Sequence, residues 1–395
     1  MAVELKKGVY WVGAIDWNIR DFHGYLTPKG TTYNAYLIVD DKITLVDTVR
    51  HGFFDEMLRR IKEIVDPREI DFVVSNHVEK DHSGSLIDIM RLAKNAEIYA
   101  TRKGKDGLIK YYKKDWPFNI VKTGDELDIG KKTLMFIEAP MLHWPDSMFT
   151  YIKEDHILLP NDAFGQHVAS HQRFDDEVDV MEDAATYYAN ILMPFAPMIL
   201  RKIEEVVYLG IKIDMIGPSH GIIWRKEPDK IIKAYVDWSK GITRDKIIIV
   251  YDTMWGSTEK IARSILRGIK REGIEAKLLK LRENHRSYVV REVLDSKVVL
   301  VGSPTINNGI FPTVADFITY LKGLKPKKKI GASFGSYGWG GGACNILNKE
   351  LREMGFEVLD ANLEFKYAPD ESELQKCVDF GRELVKKMST HIPSN

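Results

Sequence analysis

The first half of the chain alternates short apolar stretches with helical patterns. The segment YNAYLIVDDKITLVDT (33–48) predicts a β-hairpin that turns at Asp40-Asp41, and two further hairpins are predicted with turns at Gly130 and Glu154-Asp155. Apolar residues at helical spacing predict helices at 53–65, 85–96, roughly 180–209 and 227–239. Many antiparallel strands with helices between them indicate a sandwich of sheets covered by helices.

The pattern changes near WSKGITRDK (238–246). After this segment, the apolar runs KIIIVYDT, SKVVLVGSP and KIGASFGS are each followed by a loop and then by a helical pattern. Wholly apolar strands that alternate with helices are typical of a parallel, doubly wound sheet. Since 395 residues are also too many for one ordinary core, we expect two domains, at 1–242 and 246–395.

Charge and hydropathy narrow the class of protein. Residues 246–395 carry 24 Lys and Arg against 18 Asp and Glu, a net +6, and residues 1–245 carry the remaining 33 against 39, a net −6. This split agrees with two domains. Because no basic run is interleaved with aromatic residues, nucleic-acid binding is not expected. There is no run of about 18 apolar residues and no signal-peptide pattern, so we expect a soluble, cytoplasmic protein without a membrane span.

The chain contains two cysteines, Cys344 and Cys377. Two thiols cannot form an all-cysteine zinc site or hold a conventional iron–sulfur cluster. We expect both to be buried free thiols. A metal site in this chain must therefore use His, Asp and Glu side chains.

The stretch SNHVEKDHSG (75–84) places His77, Glu79, Asp81 and His82 directly after the predicted strand IDFVV. Residues i, i+2 and i+4 of an extended chain point the same way, so the side chains of His77, Glu79 and Asp81 can converge. A solvated turn with a helix cap is the alternative for an isolated cluster. Three more polar residues also follow predicted strands, namely His143, Asp162 and His220. Four such sites in one domain favour a functional centre, because loops at strand ends commonly carry function.

The loop TMWGST (253–258), the first loop, joins the strand KIIIVYD to a helix. Hydroxyl groups at Thr253, Ser257 and Thr258, with backbone N–H groups at a helix N-terminus, can hold a phosphate. No Lys follows at the spacing of a nucleoside triphosphate loop, so the phosphate of FMN fits better.

Two later loops complete this pattern. SPTINNG (303–309) is the second loop and SYGWGGGAC (336–344) is the third, and Tyr337 and Trp339 are candidates to stack on a flavin ring. Gly338, Gly340 and Ala343 also match G-x-G-x-x-A, but this dinucleotide alternative is weaker because the match lies late in its domain. The residues predicted to bind the cofactor are Thr253, Met254, Trp255, Gly256, Ser257, Thr258, Ser303, Pro304, Thr305, Ile306, Asn307, Ser336, Tyr337, Gly338, Trp339, Gly340 and Gly341.

The histidines and carboxylates of the first half resemble the H-x-H-x-D-H motif of the metallo-β-lactamase superfamily, with its later His, Asp and His, over about residues 1–240. Glu79 stands where that motif has its second His, which makes the site harder and more anionic and favours iron. The variant HVEKDH resembles the flavodiiron proteins, also called A-type flavoproteins, and residues 246–395 resemble flavodoxin. The resemblance implies an α/β fold with a metallo-β-lactamase-like αββα sandwich followed by a flavodoxin-like doubly wound parallel sheet.

The resemblance also implies a ligand set for two non-haem irons. His77, Glu79 and His143 would bind one iron, and Asp162 would bridge it to the other. Asp81, His82 and His220 would bind the second iron. The resemblance places the loop of Phe195 near the diiron pocket, and the polar His23 could line it.

The resemblance further implies an oxidoreductase that reduces dioxygen to water, nitric oxide to nitrous oxide, or both. Two irons and FMN together could supply four electrons, received from a separate donor such as rubredoxin. A head-to-tail homodimer, or a dimer of such dimers, would bring the FMN of one chain to the irons of the other. One alternative is a zinc-dependent hydrolase with an attached flavodoxin module, against which Glu79 argues. The other is an electron carrier with a structural metal cluster.

Overall fold

The structure is a computed structural model that describes residues 1–390. It divides into two compact units, the first made of Met1–Tyr188 and Phe195–Val236, the second of Ala189–Pro194 and the chain from Asp237 onward. Within the second unit, the Asn190 side chain donates to the carbonyl oxygen of Ser287 and accepts from the Tyr320 hydroxyl. The domain bounds 1–242 and 246–395 stay a prediction.

Two β-sheets form the centre of the first unit. Across the seven-stranded sheet lie Val3–Lys6, Val9–Trp11, Tyr36–Val39, Ile43–Val46, Phe72–Val74, Glu97–Ala100 and Phe118–Ile120. Across the five-stranded sheet lie Glu126–Asp128, Thr133–Glu138, Met148–Ile152, Ile157–Leu159 and Met215–Ile216. Two small antiparallel pairs join Ala14–Asp16 to Thr31–Tyr33 and Asp21–Phe22 to Tyr25–Leu26. The three predicted hairpins are all present in these sheets.

Apolar side chains join the two sheets and the helices into layers. A buried cluster that includes Trp11, Phe136 and Met148 draws residues from both sheets, so the sheets pack face to face. A second cluster, which includes Met57 and Val73, packs helices on the outer face of the seven-stranded sheet. The helices up to residue 239 are Phe54–Lys62, Lys80–Ser83, Leu86–Leu92, Arg102–Tyr112, Met181–Tyr187, Ala196–Tyr208 and Pro228–Ser239, with a 3₁₀ turn at Pro67–Glu69.

The helix expected over roughly 180–209 is interrupted. It passes from the α-helix Met181–Tyr187 through a π-helical turn, Tyr188–Leu192, and a 3₁₀ turn, Met193–Phe195, before Ala196–Tyr208 begins. Pro194 and Pro197 explain the break, since proline donates no backbone hydrogen bond and is favoured in the first turn of a new helix. Nowhere in residues 1–390 is there a helix long and apolar enough to cross a membrane.

The second unit contains one mainly parallel sheet. Its strands lie in the order Glu275–Lys280, Arg244–Tyr251, Ser296–Ile306, Ile330–Tyr337, and the last of these pairs with both Glu357–Val358 and Leu363–Lys366. The short strand Gly309–Ile310 pairs antiparallel with Ser296–Ile306. The helices are Ser257–Arg271, Arg286–Leu294, Pro312–Leu324, Ala343–Glu353 and Glu371–Thr390. This order reverses beside Arg244–Tyr251, and ligands of doubly wound sheets bind at such a switch point.

Two glycines allow the helix that follows the first loop to pack closely against the C-terminal helix. A Cβ atom at Gly268 would lie 2.0 Å from the carbonyl oxygen of Val378, and one at Gly381 would lie 2.4 Å from that of Ile265. The backbones of Ser257–Arg271 and the C-terminal helix are therefore in direct contact. This contact packs the C-terminal half of Ser257–Arg271 closely against the C-terminal helix.

Candidate metal centre and cofactor loops

The predicted metal ligands all lie beyond the ends of strands, as the sequence indicated. His77 follows Phe72–Val74, His143 follows Thr133–Glu138, Asp162 follows Ile157–Leu159 and His220 follows Met215–Ile216. Six of the seven predicted ligands are buried, and His143 is partly exposed. The loops thus bring titratable groups that are distant in the sequence into one buried place.

One expectation about this cluster is wrong. The chain is not extended through Asp81, because a short helix, Lys80–Ser83, begins directly after Glu79. The turn of this helix separates Asp81 and His82 from His77 and Glu79. The four side chains consequently divide between two groups instead of converging on one point.

The first group, the His77 group, consists of His77, Glu79, His143 and Asp162. Each residue offers one ligand atom, and these atoms lie within 4.8 Å of one another. The Nε2 atoms of His77 and His143 both lie 3.3 Å from Oε2 of Glu79. A single cation between them would have two imidazoles and two carboxylates as ligands.

The second group, the Asp81 group, consists of Asp81, His82 and His220, whose ligand atoms also lie within 4.8 Å of one another. Oδ2 of Asp81 lies 3.3 Å from Nε2 of His82 and 3.1 Å from Nε2 of His220. The side chain of His82 thus points into the group.

Asp162 lies between the two groups with one carboxylate oxygen toward each. Its Oδ2 is 3.3 Å from Nε2 of His143, and its Oδ1 is 3.1 Å from Nε2 of His82 and 3.4 Å from Nε2 of His220. The hydroxyl groups of Tyr187 and Ser219 donate to Oδ1 at 3.1 and 3.0 Å. This arrangement is the one that a bridging carboxylate requires.

The donor set and its unpaired atoms fit a pair of iron ions. Oδ1 of Asp81, Nε2 of His82 and Oδ2 of Asp162 are buried, and among residues 1–390 no group meets them at hydrogen-bonding geometry. The neighbours of the last two, at 3.1 and 3.3 Å, are close in distance only. A buried polar atom without a partner destabilises the folded state, so these atoms are expected to bind a ligand. Four imidazoles with three carboxylates form a mixed set of nitrogen and hard oxygen donors that suits iron. The individual ligand assignments remain predictions.

The carboxylates strongly change the pKa of the histidines. Burial alone would lower the pKa of His77 and of His143. Hydrogen bonds to Asp146 and Glu79 instead raise the pKa of His77 to about 10. The neighbouring carboxylates of Asp162 and Glu79 raise the pKa of His143 to about 10. Burial alone would also lower the pKa of His82. The negative charges of Asp81 and Asp162 instead raise it to about 9. Metal ions would replace these protons, since metal ligands must be deprotonated.

Outer contacts hold the imidazole rings, and sequence reasoning missed them. Asp146 Oδ2 lies 2.9 Å from Nδ1 of His77 and accepts from the backbone N–H of Val78 at 2.8 Å. His220 Nδ1 lies 2.6 Å from the carbonyl oxygen of Thr32. Such partners fix the ring orientation of metal-binding histidines. Asp146 follows His143 by three residues within MLHWPDSM, which is a signal that could have identified it.

A second missed carboxylate, Asp47, ties the ligand loops together. Its Oδ1 accepts from the backbone N–H of Asn76 at 2.8 Å, and its Oδ2 accepts from the side-chain amides of Asn76 and Asn161 at 3.2 and 3.1 Å. These asparagines precede His77 and Asp162 directly. Asp47 therefore links the two loops that carry those predicted ligands.

The two predicted pocket residues differ in their surroundings. His23 lies in a tight turn between Asp21–Phe22 and Tyr25–Leu26, and its Nε2 is 3.0 Å from Oε1 of Glu79. Its ring is therefore at the edge of the His77 group. Phe195 is half-buried at the start of the helix Ala196–Tyr208, and its part in the pocket stays a prediction.

The first loop suits a phosphate group. The helix Ser257–Arg271 starts at Gly256, whose φ of 86° lies in the left-handed region, and in the described chain no side chain caps it. Its first N–H groups can therefore bind an anion. The Thr253 hydroxyl accepts from the N–H of Gly256 at 3.1 Å, and the buried Thr258 hydroxyl lies 2.9 Å from that of Ser336 in the third loop.

The second and third loops contain more strand than expected. The strand Ser296–Ile306 continues through most of the second loop and turns back at Asn307-Asn308, both with positive φ. Ser336 and Tyr337 likewise end a strand. Trp255 and Trp339 are 93% and 91% exposed at the loop tips.

Comparisons with known proteins agree with this geometry. The family model for ODP family beta lactamase matches residues 31–221, and the model for flavodoxin matches residues 249–381. The chain is 50% identical over 394 residues to the nitric oxide reductase of Moorella thermoacetica, with 98% of this chain and 99% of the relative covered.

Solved structures give the same result. The rubredoxin oxygen:oxidoreductase of Desulfovibrio gigas is 39% identical with a TM-score of 0.96 and 99% coverage of both chains. The flavodiiron protein of Giardia intestinalis is 38% identical with a TM-score of 0.95, covering 99% of this chain and 97% of that one.

The two domains and the buried site define a two-domain flavoprotein oxidoreductase, and the predicted fold class is confirmed. The flavodoxin domain indicates FMN, and the two ligand groups are consistent with a diiron site. With a relative of 50% identity spanning nearly its whole length, this chain belongs to the flavodiiron protein family.

Proposed function

We propose that this oxidoreductase reduces nitric oxide to nitrous oxide, and dioxygen to water as a second substrate. The position of Asp162, with one oxygen toward each ligand group, is the observation that carries the proposal. Two metals held this close together would supply the redox chemistry of either reduction at one place. The names of the Moorella and Desulfovibrio relatives support these two substrates.

In this proposal the chain holds two irons and orients their ligands. His77, Glu79 and His143 would hold one iron, Asp81, His82 and His220 would hold the other, and Asp162 would contribute to both. Irons and FMN would supply the electron transfer. Tyr187 and Ser219 fix the bridging carboxylate through hydrogen bonds to its Oδ1.

The proposed reductions of nitric oxide and dioxygen consume protons as well as electrons, so the site also needs a proton donor. His23 places a ring nitrogen 3.0 Å from Oε1 of Glu79, and its hydrogen bond to that carboxylate raises the pKa of His23. The ring is exposed and so can exchange its proton with water. His23 can thus hold a proton at Nε2, at the edge of the His77 group.

The second unit would bind FMN through its three loops. The phosphate would lie at the N-terminus of Ser257–Arg271, and Tyr337 and Trp339 would flank the flavin ring. A separate carrier such as rubredoxin would supply electrons, and a cytoplasmic location stays part of the proposal.

Cofactor analysis followed by turnover tests this function. Protein purified without oxygen should contain about two irons, by the ligand count, and one FMN per chain. With a reduced rubredoxin it should convert nitric oxide to nitrous oxide. Zinc with hydrolytic activity in place of iron would support the hydrolase alternative. Iron and FMN without reduction of either gas would support the electron-carrier alternative.

A further inference from the structure

Glu364 joins the second and third loops, although neither contains it. It lies partly buried in the strand Leu363–Lys366, which pairs with the strand that ends at Tyr337. Its Oε1 accepts from the backbone N–H groups of Gly342 at 3.1 Å and Cys344 at 3.4 Å, and from the Thr305 hydroxyl at 3.4 Å. One carboxylate oxygen therefore contacts both loops.

Thr305 completes this connection. Its Oγ1 accepts from the N–H of Ala343 at 3.2 Å, so Glu364 and Thr305 together bind the N–H groups of Gly342, Ala343 and Cys344. These three groups stand at the start of the helix Ala343–Glu353. A carboxylate is favoured there by the helix dipole.

The Glu364 carboxylate is in close contact with the third loop. A Cβ atom at Gly341 would lie 3.1 Å from Oε2 of Glu364, so the loop passes directly over the carboxylate. The thiol of Cys344 is also adjacent, and burial together with the charge of Glu364 raises the pKa of Cys344 to about 12. This thiol is therefore neutral, and it stays protonated beside the Glu364 carboxylate.

We propose that Glu364 is a positioning residue for FMN, which orders the second and third loops relative to each other before the cofactor binds. The proposal rests on the FMN site proposed above. Loops that are already ordered lose less conformational entropy when a ligand binds. Without the carboxylate, the N–H groups of Gly342 and Cys344 lose their partner and the link to Thr305 is lost, so FMN would have to order both loops itself.

FMN binding to the flavin-free protein tests this role. We expect Glu364→Ala to weaken FMN binding by roughly 10- to 100-fold, the equivalent of one or two lost charged hydrogen bonds. Glu364→Gln keeps an oxygen that can accept from both N–H groups, and should stay within about threefold to tenfold of the parent. Glu383→Gln, at an exposed glutamate of the C-terminal helix, is the matched control and should bind as the parent does.

Hydrogen exchange of the flavin-free proteins separates positioning from general destabilisation. In Glu364→Ala the amides of 342–344 should exchange faster, and those of the central strand Arg244–Tyr251 should not change. Unaltered FMN affinity and unaltered exchange at 342–344 in Glu364→Ala would overturn the proposal, as would faster exchange throughout the unit. Failure of the parent itself to bind FMN would instead overturn the proposed FMN site.

Discussion

At the scale of single residues, Asp162 is the predicted ligand that lies between the two ligand groups. Its two oxygens face different groups, and Tyr187 and Ser219 hold the carboxylate in that orientation. Every other predicted ligand belongs to one group only. Loss of this side chain should therefore affect both metals at once.

We predict that Asp162→Ala lowers the iron content from about two per chain and removes most of the reductase activity, because both irons lose a ligand. Iron analysis and nitric oxide consumption measure the two effects. Asp115→Ala, at an exposed position of the same unit, is the control. Full iron content with normal turnover in the Asp162 variant would show that the bridging assignment is wrong.

Asp146 is the residue-scale prediction that came from the structure alone. We expect Asp146→Ala to weaken iron binding by roughly 10- to 100-fold, because Nδ1 of His77 loses the partner that orients its ring. Competition with a chelator measures this affinity. Asp106→Ala, at an exposed position in the helix Arg102–Tyr112, should retain iron like the parent, and equal retention by the Asp146 variant would contradict the positioning role.

At the scale of elements, the strand ends that carry predicted ligands could be predicted from the sequence. The backbone conformation between Glu79 and His82 could not. His143, Asp162 and His220 each follow an apolar run that the sequence marks clearly as a strand. The turn Lys80–Ser83 carries no such signal, because four polar residues fit a helix or an extended loop equally well. Asp146 and Glu364 act across long sequence separations, which a local pattern does not record.

The element that begins at Ser257 gives a prediction for FMN. Thr258→Ala should weaken FMN binding by about 1–3 kcal/mol, because a buried hydroxyl that the site uses is lost and Ser336 loses its partner. Titration of the flavin-free protein measures this change. Thr243→Ala, ahead of the strand Arg244–Tyr251, serves as the control, and FMN affinity equal to the parent in the Thr258 variant would place the phosphate elsewhere.

At the scale of the whole molecule, the order of two domains followed from a change in hydrophobic pattern near residue 240. Wholly apolar strands gave the parallel sheet, and hairpins gave the sandwich. The grouping of Ala189–Pro194 with the second unit did not follow, since it depends on the contacts of Asn190 with Ser287 and Tyr320. The hydrophobic pattern that predicts a helix over roughly 180–209 does not indicate which distant residues this segment contacts.

Assembly leads to a further prediction. Electrons pass efficiently only over short distances, and a head-to-tail dimer would place the FMN of one copy beside the irons of another. The opposite net charges of 1–245 and 246–395, −6 against +6, agree with such pairing. We therefore expect two defective variants to restore activity when mixed.

One variant, His77→Ala with Glu79→Ala, lacks iron ligands, and the other, Thr258→Ala with Gly256→Asp, lacks FMN binding. After exchange of subunits, mixed dimers should regain up to about half of the functional pairs of sites and recover turnover. Each variant mixed with itself is the control. Sedimentation of the active parent as a monomer with full activity would refute this arrangement.

The most direct test of the central claim is the oxidation of bound, reduced FMN by nitric oxide in the absence of oxygen. In the parent protein, FMN should reoxidise rapidly and one nitrous oxide should form for every two electrons lost. In Asp162→Ala, loaded with the same amount of FMN, reoxidation should be at least about 100-fold slower, because the metal pair is broken. Equal rates and equal yields of nitrous oxide in the two proteins would contradict a diiron site as the place of reduction.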